Sequence, residues 1–193
     1  MLLKILSQFN WVDVVVVFIV IRISWIAAKN GLPVELFKLS GTLGATYVAM
    51  HYYTALSDWL GRLVPVSQEM TPLEFMDFVA FGILAVAVYL VLVLLRSIFY
   101  RWIKMEAVPA INKWGGFILG LGRAYLFLGL VIFMLAISSI AYLKDSVRES
   151  YFGRRIFEIT PATYSWLWNN LGSKFMPKEK FNHTVIEVQD DFK

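Results

Sequence analysis

The residues of this sequence that could do chemistry are a few ionisable side chains placed inside long apolar runs. Asp13 and Asp77 both lie in such runs, and carboxylates inside a membrane can relay protons. Each acid lies only two to four residues from the end of its run, where a hydrated carboxylate is ordinary, so the spacing favours a structural role over a proton relay. His51 is isolated in the stretch "MHYYT", which favours an interfacial role over catalysis.

No catalytic motif connects these residues. The sequence holds no H-E-x-x-H, P-loop or G-x-S-x-G pattern, and it has no cysteine that could form a disulfide, bind a metal or act as a nucleophile. We therefore expect no enzymatic activity, no cofactor and no metal site. We also expect no binding to nucleic acid, because the chain lacks a basic, aromatic soluble module despite its net charge of +4.

One more ionisable residue, Arg123, lies in the apolar stretch "GGFILGLGRAYLFLGLVIF". In one interpretation its long side chain reaches the nearer headgroup region, because the run starts at Trp114, about 13 Å away along a helix. In the other interpretation the protein holds Arg123, and Glu35 is the best partner because it is the only acid near the same end of a predicted helix. The helix N-terminus would also stabilise Glu35, and the two effects are compatible.

The elements that must position these charges are membrane helices. Of the 193 residues, 59% are hydrophobic and 17% are charged, and the mean hydropathy is +0.64. A soluble domain of this length would be about 25% charged, so this chain has too little polar surface to cover a globule in water. The composition therefore predicts an integral membrane protein whose main partner is the lipid bilayer.

Four apolar runs are long enough to cross a bilayer, since a span needs about 20 residues. Backbone polar groups in lipid must be satisfied within the segment, so each run predicts a helix. The stretch "KNGLP" predicts a tight turn between the first two helices, in which Gly31 supplies a positive φ. The predicted fold class is an all-α integral membrane protein with a short N-terminal hairpin. Its four-helix transmembrane domain covers 1–142, with spans at about 11–28, 33–53, 73–95 and 114–142.

The C-terminal part of the chain has a different composition. Residues 143–176 mix charged and aromatic side chains, which is typical of an amphipathic segment lying in the headgroup region. A short tail helix packed on the ends of the bundle is an equally favoured alternative. Residues 177–193 are charged and are predicted to be disordered. Asn182 begins an Asn-His-Thr glycosylation sequon, although so short a pattern is frequent by chance.

Small residues recur every four positions on two of the predicted helices, and such stripes let helix backbones approach closely. We therefore expect the second and fourth helices to pack by their stripes, with Arg123 beside the contact and facing protein. The stripes are Gly41, Ala45 and Ala49 on the second helix and Gly116, Gly120 and Ala124 on the fourth.

Four spans would place both termini on one face of the membrane, called face A, and the turn near Lys29 on the opposite face B. Basic residues near the two faces number six and seven, so the positive-inside rule gives nearly a tie. The position of Asp13 and Asp77 toward face A favours a cytoplasmic face B and extracytoplasmic termini. The charges expected inside the membrane or at its edge are Asp13, Arg22, Glu35, Asp77 and Arg123.

The order and spacing of these motifs resemble the colicin V production protein family of bacterial inner-membrane proteins. The stretches that carry the resemblance are "NWVDVVVV", "KNGLPVEL", "HYYTALSDW" and "INKWGGFILGLGRAYLFLG". They cover roughly Asn10 to Ile140. The sequence departs from the family pattern at Ala27–Ala28, before the hairpin, and at Ala124, after the arginine, where the family often has glycine. Both sites keep a small residue.

The resemblance also assigns roles to residues of this chain. It implies that the family's embedded acid is Asp13, that its hairpin glycine and glutamate are Gly31 and Glu35, and that its glycine-rich arginine motif is Gly116, Gly120 and Arg123.

The function that the resemblance implies is a part in producing or exporting a peptide toxin, within a broader role in the cell envelope. We expect a non-enzymatic accessory or scaffold protein that binds a membrane or envelope protein and can form homo-oligomers. The alternative is an oligomeric channel or transporter component, which would have to line a path with Asp13, Asp77 or Arg123.

Overall fold

The computed structural model describes residues 9–63, 73–102 and 109–192, and every regular element in these ranges is helical. The predicted all-α class is therefore confirmed. Four long helices come first along the chain. They are α1 (Trp11–Asn30), α2 (Leu32–Leu63), α3 (Leu73–Trp102) and α4 (Pro109–Ala136).

Three segments of the described ranges are both long enough and apolar enough to cross a membrane. They are Trp11–Asn30, Phe75–Ile98 and Ala110–Ala136. The second predicted span lies in α2, which is longer than expected, at 32 residues, but less apolar than the other three helices. The predicted fourth span is too long at its C-terminal end, because α4 stops at Ala136 and the chain then bends. There the Ser138 hydroxyl accepts a hydrogen bond from the Ile140 amide at 3.1 Å.

The four long helices form a bundle in which α3 packs mainly on α2, and α1 packs mainly on α4. The contact between α2 and α4 closes the bundle. Its centre is aromatic: the rings of Tyr53, Phe81 and Phe133 lie 5.4 to 6.3 Å apart and are completely buried. Apolar burial of this kind holds three of the helices together at one level.

The glycine of the predicted hairpin turn is confirmed. Gly31 has a φ of +82°, which side chains rarely tolerate, and the Asn112 side chain occupies the space that a Cβ would need. Asn112 Oδ1 accepts a hydrogen bond from the Leu32 amide at 2.7 Å. The turn between α1 and α2 is thus clamped by the start of α4.

Helices α2 and α4 pack on each other as predicted, but the glycines of their two stripes do not face one another. A Cβ added to Gly120 would overlap Ala27 of α1, whereas one added to Gly41 would contact Leu92 of α3. Gly116 likewise faces backbone atoms of Ala27 in α1 and of Gly31 in the turn that follows. A stripe of small residues indicates that another part of the protein packs closely against the helix. It does not indicate whether that part is the backbone of a second helix or a bulky side chain.

The remaining members of the stripes are buried, since Ala45, Ala49 and Ala124 have at most 2% of their surface exposed. They belong to the interior of the bundle, where α2 and α4 also meet through Tyr53 and Phe133.

The C-terminal segment from Ala141 to Phe192 folds back onto the bundle, and we call it the C-terminal cap. Its elements are α5 (Ala141–Glu149), α6 (Gly153–Phe157), α7 (Ile159–Leu167), a π-helical turn (Trp168–Gly172), α8 (Ser173–Phe175) and α9 (Thr184–Phe192). Helix α7 packs against both α2 and α4, which agrees with the second of the two alternatives for residues 143–176.

The disorder predicted for residues 177–193 is wrong for the part that the structure describes. Helix α9 buries Val185 completely, and Phe192 stacks on Phe157 with ring centres 4.2 Å apart. The charged residues between them face solvent. The apolar positions Val185, Val188 and Phe192 are spaced like one face of a helix, and this pattern outweighs the charge of the segment.

Candidate functional site

Glu35 is the centre of a buried polar network at the hairpin end of the bundle. It lies in the first turn of α2, and none of its surface is exposed. Its Oε1 accepts hydrogen bonds from Asn30 Nδ2 at 2.7 Å and from Lys38 Nζ at 3.0 Å. Its Oε2 accepts one from Arg123 Nε at 2.8 Å. The structure therefore brings together the two residues of the second interpretation of Arg123.

The glycines of α4 explain how this ion pair forms. Arg123 is only 8% exposed, and Gly120 lies one turn before it. The Cα of Gly120 faces Ala27 and the Glu35 carboxylate, so that a Cβ there would lie 3.7 Å from Oε2. Because no side chain intervenes, α1 and the first turn of α2 approach α4 closely enough for the ion pair. In a medium of low dielectric constant such a pair is held strongly, since either partner alone would be a buried charge.

Asp13 is the centre of a second network, where the cap meets the start of α1. The carboxylate is completely buried and accepts four hydrogen bonds. Two go to Oδ2, from the Asn10 amide at 3.0 Å and the Tyr151 amide at 3.3 Å. Two go to Oδ1, from Ser150 Oγ at 2.7 Å and the Phe152 amide at 2.7 Å. Asp13 thus joins the first helix to a turn of the cap.

Neighbouring residues extend this junction. Asn10 caps α1 by accepting a hydrogen bond from the Val12 amide at 2.9 Å, which with Asp13 forms a capping box. Asn10 Nδ2 donates to the Ser146 carbonyl at 2.6 Å, and Trp11 Nε1 donates to Ser146 Oγ at 3.0 Å. The start of α1 therefore contacts the cap through the side chains of Asn10, Trp11 and Asp13.

The structure does not join Asp77 to Asp13. Asp77 lines a separate cavity of about 100 Å³ together with Tyr53, Lys144 and Asp191. The four donors to Asp13 all come from Asn10 and the turn at 150–152. The protonatable pair considered from the sequence therefore lies at two different places.

His51 forms a third polar site that sequence reasoning did not assign. Its ring stacks between Tyr47 and Trp168, with ring centres 5.4 and 5.1 Å away. Its Nδ1 lies 2.9 Å from Tyr164 Oη, and its Nε2 lies 3.6 Å from Glu179 Oε2. The signal in the sequence is the aromatic stretch "TYSWLW", whose aromatic rings meet those of "TYVAMHYY" in the fold.

Tyr164 links this site to the last part of the cap. Its hydroxyl also accepts a hydrogen bond from the Asn182 amide at 3.0 Å, and burial raises the pKa of Tyr164 to about 12. Asn182 Nδ2 donates to the Met50 carbonyl at 2.9 Å. Since Asn182 is only 9% exposed, its amide serves as a packing contact in this fold and is not presented as a glycosylation acceptor.

In all three sites the polar side chains are held by hydrogen bonds to other groups of the protein. Within the described ranges, no three His, Asp or Glu side chains lie close enough to hold a metal ion. Asp13 and Glu35 direct their oxygens at internal donors. Both are therefore arranged to fix helices and cap relative to each other.

Of three comparisons with known proteins, one found a match. Residues 12–161 match the family described as Colicin V production protein. The matched segment contains Asp13, Glu35, Arg123 and the turn at 150–152, so it holds both buried carboxylates and all of their described donors except the Asn10 amide. No curated protein and no solved structure matches the chain.

Proposed function

The chain belongs to the colicin V production protein family, and on that premise we propose that it is a non-enzymatic multipass protein of the bacterial inner membrane. It acts as an accessory or scaffold protein in the production or secretion of a peptide toxin, or in maintenance of the cell envelope. The observation that carries this proposal is that the completely buried carboxylates of Asp13 and Glu35 accept their hydrogen bonds from donors within the protein.

The two networks support a scaffold because of where their donors come from. The Glu35 carboxylate accepts hydrogen bonds from the side chains of a lysine, an asparagine and an arginine. The Asp13 carboxylate accepts them from three backbone amides and a hydroxyl. A carboxylate that binds a transported ion or acts as a catalytic base needs an oxygen that faces its ligand. Carboxylates surrounded by internal donors instead stabilise one arrangement of the helices.

A scaffold also needs a surface for its partner, and α3 offers one. This helix lies at the edge of the bundle, and its outer face is a row of exposed aliphatic residues. Val86, Leu90 and Leu94 have 59%, 54% and 65% of their surfaces exposed. In a membrane this face contacts either lipid or the helix of another protein.

We further propose that α2 also crosses the membrane, which brings the number of spans to four. Its low hydropathy comes from polar residues that face protein, since Thr42, Thr46 and Ser57 are at most 4% exposed. Thr42 and Thr46 also donate hydrogen bonds to carbonyls of their own helix, at 3.0 and 2.9 Å. An average over the sequence counts these residues as if they met lipid, and it therefore underestimates how well α2 fits the membrane.

Four spans put the turn near Lys29 on one side and the cap on the other. We propose that the hairpin side is cytoplasmic and that the cap and both termini are extracytoplasmic. The cap, held by Asp13 and His51, would then be the part available to envelope proteins.

The test is photo-crosslinking in cells that carry a photoreactive amino acid at Leu90 or Leu94. We expect an adduct with a different membrane or envelope protein, identified by mass spectrometry. The matched control is the same amino acid at Phe81, which lies on α3 but is completely buried and should give no such adduct.

The other outcomes are equally informative. If the only adducts are dimers of the chain itself, with twice its mass of 22.2 kDa, the oligomeric channel or transporter component is favoured. If neither position gives a protein adduct, and cells without the protein export toxin and maintain their envelope normally, the scaffold proposal is wrong.

A further inference from the structure

A cavity of about 290 Å³ lies among α1, α2, α3 and α4, next to the Glu35 network. Its walls are mostly aliphatic and aromatic, with Ile19 and Phe127 among them. Two arginines, Arg22 and Arg123, also line it. The cavity opens at the outer surface of the bundle, because Phe127 is 40% exposed and Arg22 is exposed as well.

Arg22 has no counter-charge in the part of the chain that the structure describes. The side chain makes no hydrogen bond or ion pair there, and it is exposed on α1. It lies eight residues before Asn30, the end of the helix, which corresponds to a depth of about 12 Å. A cation at that depth in hydrocarbon is costly unless an anion or water accompanies it.

Arg123 adds donors to the same cavity. A guanidinium carries five N–H groups, and in the described structure Arg123 uses only its Nε–H, toward Glu35. Lys38 also contacts Glu35, so the single negative charge there is shared by two cations. Together with Arg22, the surroundings of the cavity therefore carry a net positive charge.

We propose that this cavity binds an anionic phospholipid. The lipid phosphate pairs with Arg22 and with the N–H groups of Arg123 that Glu35 leaves unused, as arginine forks favour phosphate oxygens. An acyl chain lies along Ile19 and Phe127. An amphiphile fits this site better than a free inorganic anion does, because the walls are apolar and the cavity opens toward lipid.

The experiment uses the full chain purified in an uncharged detergent. Phosphatidylglycerol and phosphatidylcholine with identical acyl chains are titrated separately, and bound lipid is counted by native mass spectrometry. We expect phosphatidylglycerol to bind more tightly. Arg22→Gln should weaken its binding about fivefold, the effect of removing one cation near a membrane surface.

Two variants serve as controls. Arg22→Lys keeps the charge and should keep most of the preference for phosphatidylglycerol. Lys29→Gln removes one charge from the same helix outside the cavity, where Lys29 lies over the Trp25 ring, and should change binding little.

The proposal is overturned if the unaltered protein binds the two lipids equally, or if Arg22→Gln and Lys29→Gln weaken phosphatidylglycerol binding to the same extent. The first of these outcomes does not depend on any variant folding correctly. Neither depends on the crosslinking result, so the scaffold proposal and the lipid site can fail separately.

Discussion

The two buried carboxylates of the bundle are sheltered in different ways. Glu35 is held by cations, with Arg123 at 2.8 Å and Lys38 at 3.0 Å. Asp13 accepts hydrogen bonds only from neutral donors, namely three amides and the Ser150 hydroxyl. Both are completely buried, so each would be strongly destabilising without its partners.

The difference lies in what each carboxylate joins. Glu35 connects the hairpin of α1 and α2 to α4, so it acts within the bundle. Asp13 connects the first turn of α1 to residues 150–152, so it acts between bundle and cap. A change at Glu35 should therefore loosen the helices, whereas a change at Asp13 should release the cap.

The largest effect is expected from Arg123→Met. This change leaves Glu35 buried with one cation fewer, and we expect the free energy of unfolding to fall by about 3 kcal/mol. Unfolding by denaturant in detergent, followed by circular dichroism, measures the loss. The double variant Glu35→Met with Arg123→Met should recover part of it, because the buried carboxylate is gone and only Lys38, whose side chain is 15% exposed, loses its partner. A double variant less stable than the single one would contradict this account of the pair.

The next effect is expected from Asp13→Asn. An amide offers one acceptor oxygen where the carboxylate offers two, and its NH2 group faces backbone donors, so the cap should lose about 2 kcal/mol of stabilisation. Limited trypsin digestion at Arg154 and Arg155 in the cap measures its release. Asp58→Asn is the control, since Asp58 is exposed on α2. Equal protease sensitivity of the two variants would show that Asp13 does not hold the cap.

A smaller effect is expected from Gly120→Ala, which forces a methyl group against Ala27 beside the Glu35 network. Overpacking of this kind should cost about 1.5 kcal/mol. Gly122→Ala is the matched control, because no atom lies within 4 Å of the Cβ it would add. Both variants gain the same helix propensity, so the difference between their thermal unfolding temperatures measures the effect of packing at Gly120. If both variants unfold at the same temperature, the close contact between α1 and α4 is not as described.

These comparisons also show what the sequence could predict. The sequence leaves two interpretations of Arg123 open, and it offers Glu35 as the partner in one of them because both are rare charges at the same end of their helices; the structure places the two side chains 2.8 Å apart. The family and the all-α class were predicted as well. The partner of each small-residue stripe was not, since Gly120 and Gly41 follow the same pattern but meet a backbone and a leucine.

The Asp13 junction could not have been read from the sequence. Its donors at Ser150, Tyr151 and Phe152 lie 137 to 139 residues further along the chain, and two of them are backbone amides, which no residue type reveals. The helix α9 was missed for another reason: a high charge density concealed the apolar face of Val185 and Phe192. Contacts that depend on tertiary structure override local composition at both places.

The smallest effect is expected at the third polar site and only at high pH. Burial raises the pKa of Tyr164 to about 12, so the fold favours its neutral form. Its contribution to stability is fully present below pH of about 10, the ordinary pKa of tyrosine, and is lost as the pH rises through about 12. Tyrosinate absorbance, compared between the unaltered protein and Tyr164→Phe, isolates this group. A difference that titrates near pH 10 would mean that Tyr164 is not buried.

The most direct test asks whether the Glu35 and Asp13 networks lie at opposite ends of a bundle that crosses the membrane four times. The chain has no cysteine, so single cysteines can be placed at Lys29 and Lys113 on the hairpin side and at Arg62 and Lys178 on the cap side. A membrane-impermeant maleimide should label the cap-side pair in intact spheroplasts and the hairpin-side pair only after lysis. Labelling of the Lys29 and Arg62 variants from the same side would show that α2 does not cross the membrane and would contradict the account.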